Sequence, residues 1–335
     1  MRGIQTTATY DAATEEFVIN TPQVTAAKWW PGSLGKTANT AMVIAQLVVD
    51  GTAYGVHNFL VPLRDRATHL PLPGVALGDI GPKIGFNNMD NGWAVFRSVR
   101  IPRRNMAARY SRVEVDGSYA VMPIAASAGK TAYITMMQVR ALIVANAGRG
   151  LAQAATIAIR YSIVRRQGYA KGASRGGGRE AQVLDYATQA HRLLPLLATA
   201  YCWHFAGDVM TARLRELEGA IRAGDSRVGA LLRAAHASFS GLKSLTSMIA
   251  ADGMEECRRA CGGAGFLKAS GIPELLTAYL QNVTVEGDNH MLPAQVVSIL
   301  LKELRAARGR GGAAPAAPAS ASDDAAYLAT PLERG

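Results

Sequence analysis

The sequence predicts an α+β fold: a small β-barrel or sandwich over residues 1–120, then a four-helix bundle over residues 125–307. Three observations carry this. In the first third, short apolar and β-branched runs are separated by Gly, Pro, Asn and Asp, the punctuation of strands and tight turns. Composition changes near Pro123, and beyond it apolar residues return at the spacing of one helix face. Several of these runs are long, and long helices pack most simply as a bundle. Residues 308–335 are rich in Ala, Pro, Gly and Ser and are expected to form a disordered tail.

Taken in order, Phe17-Val18-Ile19 is a short strand. Residues 41–49 and 54–63 flank Asp50-Gly51, a strong hairpin signal because both residue types tolerate a left-handed backbone. Asn91-Gly92 reads as a turn between Gly85-Phe86 and residues 93–99, and Asp116-Gly117 as another. The first helical run carries Ile143, Ala147, Leu151, Ala154 and Ala158 at 3.6-residue spacing. A helix over about 182–222 follows. Leu231, Ala235, Leu242, Leu245 and Ile249 mark a third, and residues 290–307 a fourth. The Gly-, Arg- and Lys-rich stretch 167–180 is expected to be a mobile loop.

The totals narrow the class. A chain of 335 residues, 49% hydrophobic and only 18% charged, can bury a substantial core and is globular. The net charge of +11 permits an anionic partner. The arginines lack interleaved aromatics, so nucleic acid is not expected. Three cysteines with no CxxC pair argue against a disulfide scaffold, and Cys257 and Cys261 read as small buried side chains. No stretch reads as a membrane span. Residues 193–210 are apolar but carry Pro195, His204 and Asp208, which suits a buried helix.

Thr284-Val285-Glu286-Gly287-Asp288-Asn289 is the stretch around which the chain is organised. A carboxylate at the edge of a core is poorly solvated when charged, which makes Glu286 a candidate general base. An acidic residue before Gly-Asp-Asn also suits a helix N-terminus, by dipole and capping preference. His290 stands close enough to influence Glu286 or to serve as a surface cap. The run 32–37 (GSLGKT) looks like a phosphate loop but fails on spacing, with Trp30 where the first glycine is required. Adjacent Trp29 and Trp30 in a strand point to opposite faces. Either one enters the core and the other packs on the helical domain, or both wall a flat ring. Arg160, Arg165 and Arg166 suit the end of a helix, and equally a pyrophosphate. Residues 261–266 (CGGAGF) place three glycines within four residues, as where backbone N–H groups approach a ligand.

Eight segments, in order, carry a resemblance: 7–11 (TATYD), 28–37, 78–83 (GDIGPK), 101–103 (IPR), 157–167 (IAIRYSIVRRQ), 194–201 (LPLLATAY), 257–265 (CRRACGGAG) and 284–289 (TVEGDN). Together they resemble the peroxisomal acyl-CoA oxidases, flavoprotein relatives of the acyl-CoA dehydrogenases, over residues 3 to about 307. The resemblance implies a β-barrel middle domain and a helical bundle, with FAD between them in a peroxisomal homodimer. It implies that Glu286 removes the α-proton of a fatty acyl-CoA while the β-hydrogen leaves as hydride to the flavin, giving a trans-2-enoyl-CoA. Electrons then pass to O2, giving hydrogen peroxide. The flavin ribityl hydroxyl and the Glu286 N–H would stabilise the developing enolate oxygen. Trp30, Gly32, Gln167, Gly287 and Asn289 are implied as FAD-binding positions, and Arg165, Gly262 and Gly263 as contacts to the neighbouring subunit's FAD.

The same resemblance carries departures. The family's N-terminal helical domain and second C-terminal helical domain have no counterpart in this sequence, which is therefore expected to be a fragment or a truncated protein. Ala187 stands where relatives often carry a glutamine, and Ser33 where glycine is common. Glu333-Arg334-Gly335 is not a peroxisomal tripeptide. An acyl-CoA dehydrogenase and a catalytically inactive scaffold are the alternatives, and Trp29 to Gly32 with Cys261 to Gly263 favour the oxidase.

Overall fold

The computed structural model describes residues 3–122, 128–169 and 179–308. The expected tail and most of the Gly/Arg-rich loop lie outside the described residues. The chain divides into two compact units, Met1–Gly129 and Lys130–Gly335.

The first unit is built from strands. A five-stranded sheet runs β5-β4-β1-β2-β8, where β1 is Thr7–Asp11, β2 Glu16–Asn20, β4 Thr40–Val49, β5 Thr52–Pro62 and β8 Val99–Pro102. A three-stranded sheet runs β3-β7-β6, of Lys28–Gly32, Asn91–Phe96 and Val75–Asp79, and Ser111–Val113 (β9) pairs with Tyr119–Val121 (β10). Alternate residues of β4, namely Val43, Ala45, Leu47 and Val49, turn inward as the pleat requires. They meet Phe17, Phe59, Phe96 and Ile101, with the Phe17 and Phe59 rings edge-on at 5.0 Å.

The expected hairpin forms. Val49 pairs with Thr52, and Asp50 and Gly51 both take positive φ (45° and 71°), the backbone of a primed two-residue turn. Asp116-Gly117 likewise lies in the turn between β9 and β10, with Gly117 at φ 85°. Asn91-Gly92, in contrast, is not a turn; it begins β7. Glycine is needed there because a Cβ on Gly92 would lie 2.2 Å from the Gly35 nitrogen, so the signal was close backbone approach and not chain reversal.

The second unit contains α1 (Ala128–Val164), α2 (Ala187–Ala223), α3 (Val228–Ala260), the short α4 (Ile272–Tyr279) and α5 (Met291–Arg308). The four long helices lie close to the expected positions. Contacts fix their directions. Gln138 of α1 donates to Glu218 of α2 at 2.7 Å, and Gly207 of α2 faces Ala145, so α1 and α2 are antiparallel. Gly253 of α3 faces Leu151, and Arg140 reaches Ser240, so α1 and α3 are parallel. Gly241 faces Val296 while Ser244 holds Asn289, so α5 runs back along α3. One core joins Leu151, Leu193, Met254 and Tyr279, and another Met137, Met210, Leu217 and Phe239.

Three expectations need amendment here. Residues 134–164 of α1 are long and apolar enough to cross a membrane by length and composition, although none was expected to be; half of that window is buried within the protein, as in a core helix. Residues 193–210, expected as a buried helix, bury Leu193 and Met210 but expose Leu194, Tyr201 and Phe205. On α3, Leu245 was taken as core but is 51% exposed, while Lys243, Ser244, Thr246 and Ser247 are buried. Cys257 and Cys261 are buried and unpaired as expected, and burial pushes the Cys257 thiol up to about 12.

Candidate functional site

The Glu286 turn is built from the chain between α4 and α5. A 3-10 turn over Leu280–Val283 brings the chain round, and the Asn289 N–H donates to the Val283 carbonyl at 3.2 Å. Asp288 starts α5: its carbonyl accepts from Met291 and Leu292, and its carboxylate from the His290 N–H at 2.8 Å. The capping role open to Glu286 in the sequence thus belongs to Asp288. Glu286 has φ 57°, uncommon for a residue with a side chain, and Gly287 has φ 109°. A Cβ on Gly287 would meet Leu292 Cδ2 at 2.7 Å, so glycine is required on both counts.

Beneath this turn lies a buried polar layer. Arg140, Ser240, Lys243, Ser244, Ser247 and Asn289 are each less than 9% exposed. Arg140 Nε donates to the Glu286 carbonyl at 3.0 Å, and its Nη1 to Ser240 Oγ at 2.8 Å. Lys243 Nζ donates to the Gly287 carbonyl at 2.6 Å and to Asn289 Oδ1 at 2.9 Å. Asn289 Nδ2 donates to the Ser244 carbonyl at 3.1 Å and to Ser247 Oγ at 2.9 Å, and Ser244 Oγ donates to the Asn289 carbonyl. Burial, aided by the Arg140 charge, pushes the Lys243 ammonium down to about 8, although Asp288 and Glu286 pull it back upward. Burial also lowers Arg140, with Glu286 opposing, and burial and then the Arg140 charge lower His236.

Above the layer the groups are unspent. Glu286 is half-buried, and among the described residues no donor or cation pairs with its carboxylate. The N–H groups of Glu286, Gly287 and Asp288 likewise have no acceptor among the described residues. The side chain of Asn289, implied as an FAD-binding position, is instead consumed inside the fold. His290 is exposed.

The other helical-unit candidates lie elsewhere. Arg165 follows α1, with its N–H on the Tyr161 carbonyl at 2.7 Å and its side chain exposed. Gln167 is also exposed, its N–H held by Ala181. Gln189 Nε2 donates to Ser162 Oγ at 3.0 Å and to the Ala260 carbonyl at 2.8 Å, tying the C-terminal ends of α1 and α3 together. Gly262 follows α3 with φ 56°, and a Cβ on Gly262 or Gly263 would meet nothing within 4 Å. Gly265 has an internal reason: a Cβ there would lie 2.0 Å from the Arg258 carbonyl oxygen. At 1.5 Å rise per residue, Arg140 and the end of α1 are about 36 Å apart. Arg165, Gln167, Gly262 and Gly263 thus gather at one end of the helical unit, and Glu286 with Gly287 lies well away from it, beside Arg140 and the middle of α3.

In the first unit, Trp29 and Trp30 are 53% and 59% exposed, so neither is the core tryptophan one reading required. The register shifts between Trp29 and Gly32, Trp30 takes φ 88°, and its carbonyl accepts from Asn91 Nδ2 at 2.7 Å. Gly32 faces Met89, and Ser33 is left-handed at φ 65°. Residues 32–37 do not form a phosphate loop: Asp90 already takes the N–H groups of Lys36 and Thr37 and the Thr37 hydroxyl. Burial alone would raise the Asp90 carboxyl, but these hydrogen bonds outweigh it and hold it below the usual range.

Residues 133–301 match the family described as the acyl-CoA oxidase C-alpha1 domain. The chain belongs to the acyl-CoA oxidase family. Peroxisomal acyl-coenzyme A oxidase 1 of Rattus norvegicus is 47% identical over 302 residues, 90% of this chain and 44% of that protein. Among solved structures, acyl-CoA oxidase 1 of Arabidopsis thaliana superposes with a TM-score of 0.85 at 46% identity, covering 95% of this chain and 47% of that one. Acyl-CoA oxidase-1 of Caenorhabditis elegans, complexed with FAD and ATP, gives 0.84 at 38% identity, covering 99% and 47%. The chain therefore spans slightly less than half the length of the acyl-CoA oxidases it matches. It shares their mixed helix-and-sheet architecture.

Two members of the site, Arg140 and Lys243, are not marked by any sequence motif. A signal does exist: Ser240, Lys243, Ser244 and Ser247 follow i, i+3, i+4, i+7 spacing, a polar stripe on the face of α3 that turns inward.

Proposed function

We propose that this chain is the catalytic core of a peroxisomal, FAD-dependent acyl-CoA oxidase, with Glu286 as the base that removes the α-proton of a fatty acyl-CoA. The observation that carries this is the Glu286 carboxylate itself: half-buried, unpartnered among the described residues, and displayed on a left-handed turn fixed from below. A general base needs that combination of a fixed position and an uncommitted lone pair. The unspent Glu286 N–H on the same turn would donate to the thioester oxygen as negative charge develops there.

The residues present fit FAD. Two exposed indoles at a strand irregularity offer a surface for a flat ring, an exposed guanidinium suits a pyrophosphate, and two glycines with open space admit close approach of a ligand to the backbone. When bound, FAD accepts the β-hydrogen with its electron pair and passes two electrons to O2, giving hydrogen peroxide. Trp30 and Gly32 in the first unit, and Gly287 in the second, are each proposed as flavin-contacting positions. Arg165, Gln167, Gly262 and Gly263 are assigned to the flavin of a neighbouring subunit, because about 36 Å of helix separates them from the Glu286 corner. That division is the basis for reading the protein as a homodimer. In this reading the first unit is the β-barrel middle domain and the four long helices form the bundle.

The test is the visible spectrum of the purified chain before and after a fatty acyl-CoA is added, with peroxide measured in parallel. A flavin band that bleaches on substrate, with peroxide formed in air, is the expected result. A colourless protein contradicts the claim that this chain builds the flavin site. Bleaching without peroxide would assign it to the dehydrogenase branch instead.

A further inference from the structure

Two buried cations lie directly beneath the catalytic turn, and among the described residues neither has a carboxylate partner in hydrogen-bond contact. Lys243 is fully buried and Arg140 is 4% exposed. Burying a charge is costly unless it is hydrogen-bonded. Both spend their donors on backbone carbonyls of the same turn, Glu286 for Arg140 and Gly287 for Lys243. A lysine kept in such a place for packing alone would be better replaced by methionine or leucine.

We propose that Lys243 and Arg140 are positioning residues for Glu286: by holding the Glu286 and Gly287 carbonyls inward, they fix the orientation of the catalytic turn. The inference rests on Glu286 being the base. Its geometry follows from peptide planarity. In a trans peptide the C=O and the following N–H point in opposite directions. With the Glu286 carbonyl drawn down to Arg140, the Gly287 N–H points up; with the Gly287 carbonyl drawn down to Lys243, the Asp288 N–H points up. This accounts for why these N–H groups find no acceptor among the described residues. A charge-assisted bond to a carbonyl also polarises its own peptide and makes the outward N–H a stronger donor. The left-handed backbone at Glu286, unfavourable for a residue with a side chain, is held against relaxation by the same two bonds.

Asn289 completes the device. Its Oδ1 takes the second Lys243 bond, while its Nδ2 locks onto Ser244 and Ser247, so the lysine is aimed by α3 and by the turn together. The groups that face Lys243 electrostatically are Arg140, Asp288 and Glu286.

The experiment compares Lys243→Met and Lys243→Gln with the unaltered 335-residue chain by hydrogen–deuterium exchange, and by the rate at which acyl-CoA reduces bound flavin. Lys243→Met should speed amide exchange at residues 284–289 about tenfold or more, leaving the ends of α1 and α3 near Ser162 and Ala260 within about twofold. Flavin reduction should slow about tenfold or more, with flavin affinity retained. Lys243→Gln keeps one donor and should recover part of both effects. Exchange that rises uniformly across α1 and α3, or does not change at 284–289 in either variant, overturns the proposal. The reading of Glu286 fails separately, through Glu286→Gln reducing flavin as fast as the unaltered chain while the exchange result stands.

Discussion

Two regions of the helical unit carry candidate residues of opposite character. Around Glu286, beside the middle of α3, nearly every group below the turn is spent: Arg140, Lys243, Asn289, Ser244 and Ser247 satisfy one another and the backbone. At the Arg165 end the groups face outward, with the Arg165 guanidinium reaching Gln167 Oε1 at 3.5 Å. Arg165 and Gln167 are exposed, and Gly262 and Gly263 border empty space. On the proposed assignment, proximity to chemistry and to a partner leave different marks: a base is held by its own chain, so its surroundings are internally complete, whereas a surface that grips a ligand bound elsewhere stays exposed.

The largest expected effect breaks the Glu286 region. Glu286→Gln keeps shape and removes the base, so acyl-CoA-driven flavin reduction should fall by several orders of magnitude while flavin binding persists. Stopped-flow absorbance checks this. Next, Asn289→Ala strips Lys243 of one of its two acceptors and leaves buried serine groups unmatched. It should cost about 3 kcal/mol in urea unfolding, far more than a surface asparagine would. The glycines sharpen the Arg165 end. Gly265→Ala forces a Cβ onto the Arg258 carbonyl and should destabilise by about 2 kcal/mol, whereas Gly263→Ala should change stability by less than about 0.5 kcal/mol and yet weaken flavin retention.

The smallest effect is a pH slope. Lys243 titrates near 8 in the fold against 10.5 when free, so between those values the unfolded chain binds the extra proton and stability rises with pH. Below about 8 both states are protonated and the contribution is flat. The difference in unfolding free energy between the unaltered chain and Lys243→Met, followed from pH 7 to 10.5, should show that rise.

Much of the fold was legible because its signals are local. Asp50-Gly51 demands a left-handed turn wherever it occurs between strands, and 3.6-residue spacing marks α1 and α3 without tertiary knowledge. Asn91-Gly92 misled because a glycine required by a neighbouring backbone looks the same in sequence as one required by a turn. Leu245 misled for a related reason: α3 turns a polar stripe inward to hold the Glu286 turn, and hydrophobic periodicity assumes the buried face is apolar. Glu286 was visible through its surrounding motif. Lys243 was not, because its importance lies in the Gly287 carbonyl and the Asn289 amide oxygen, more than forty positions away.

The measurement that tests the account most directly mixes two inactive proteins. Glu286→Gln and Arg165→Glu are each expected to abolish turnover as homodimers. If the Glu286 and Arg165 regions serve different flavins, a heterodimer of these chains holds one site with both residues intact. Random reassociation should then restore about one quarter of the unaltered activity, as a two-fold dimer requires. Mixed chains that remain as inactive as either parent would contradict the account, placing Glu286 and Arg165 at the same site.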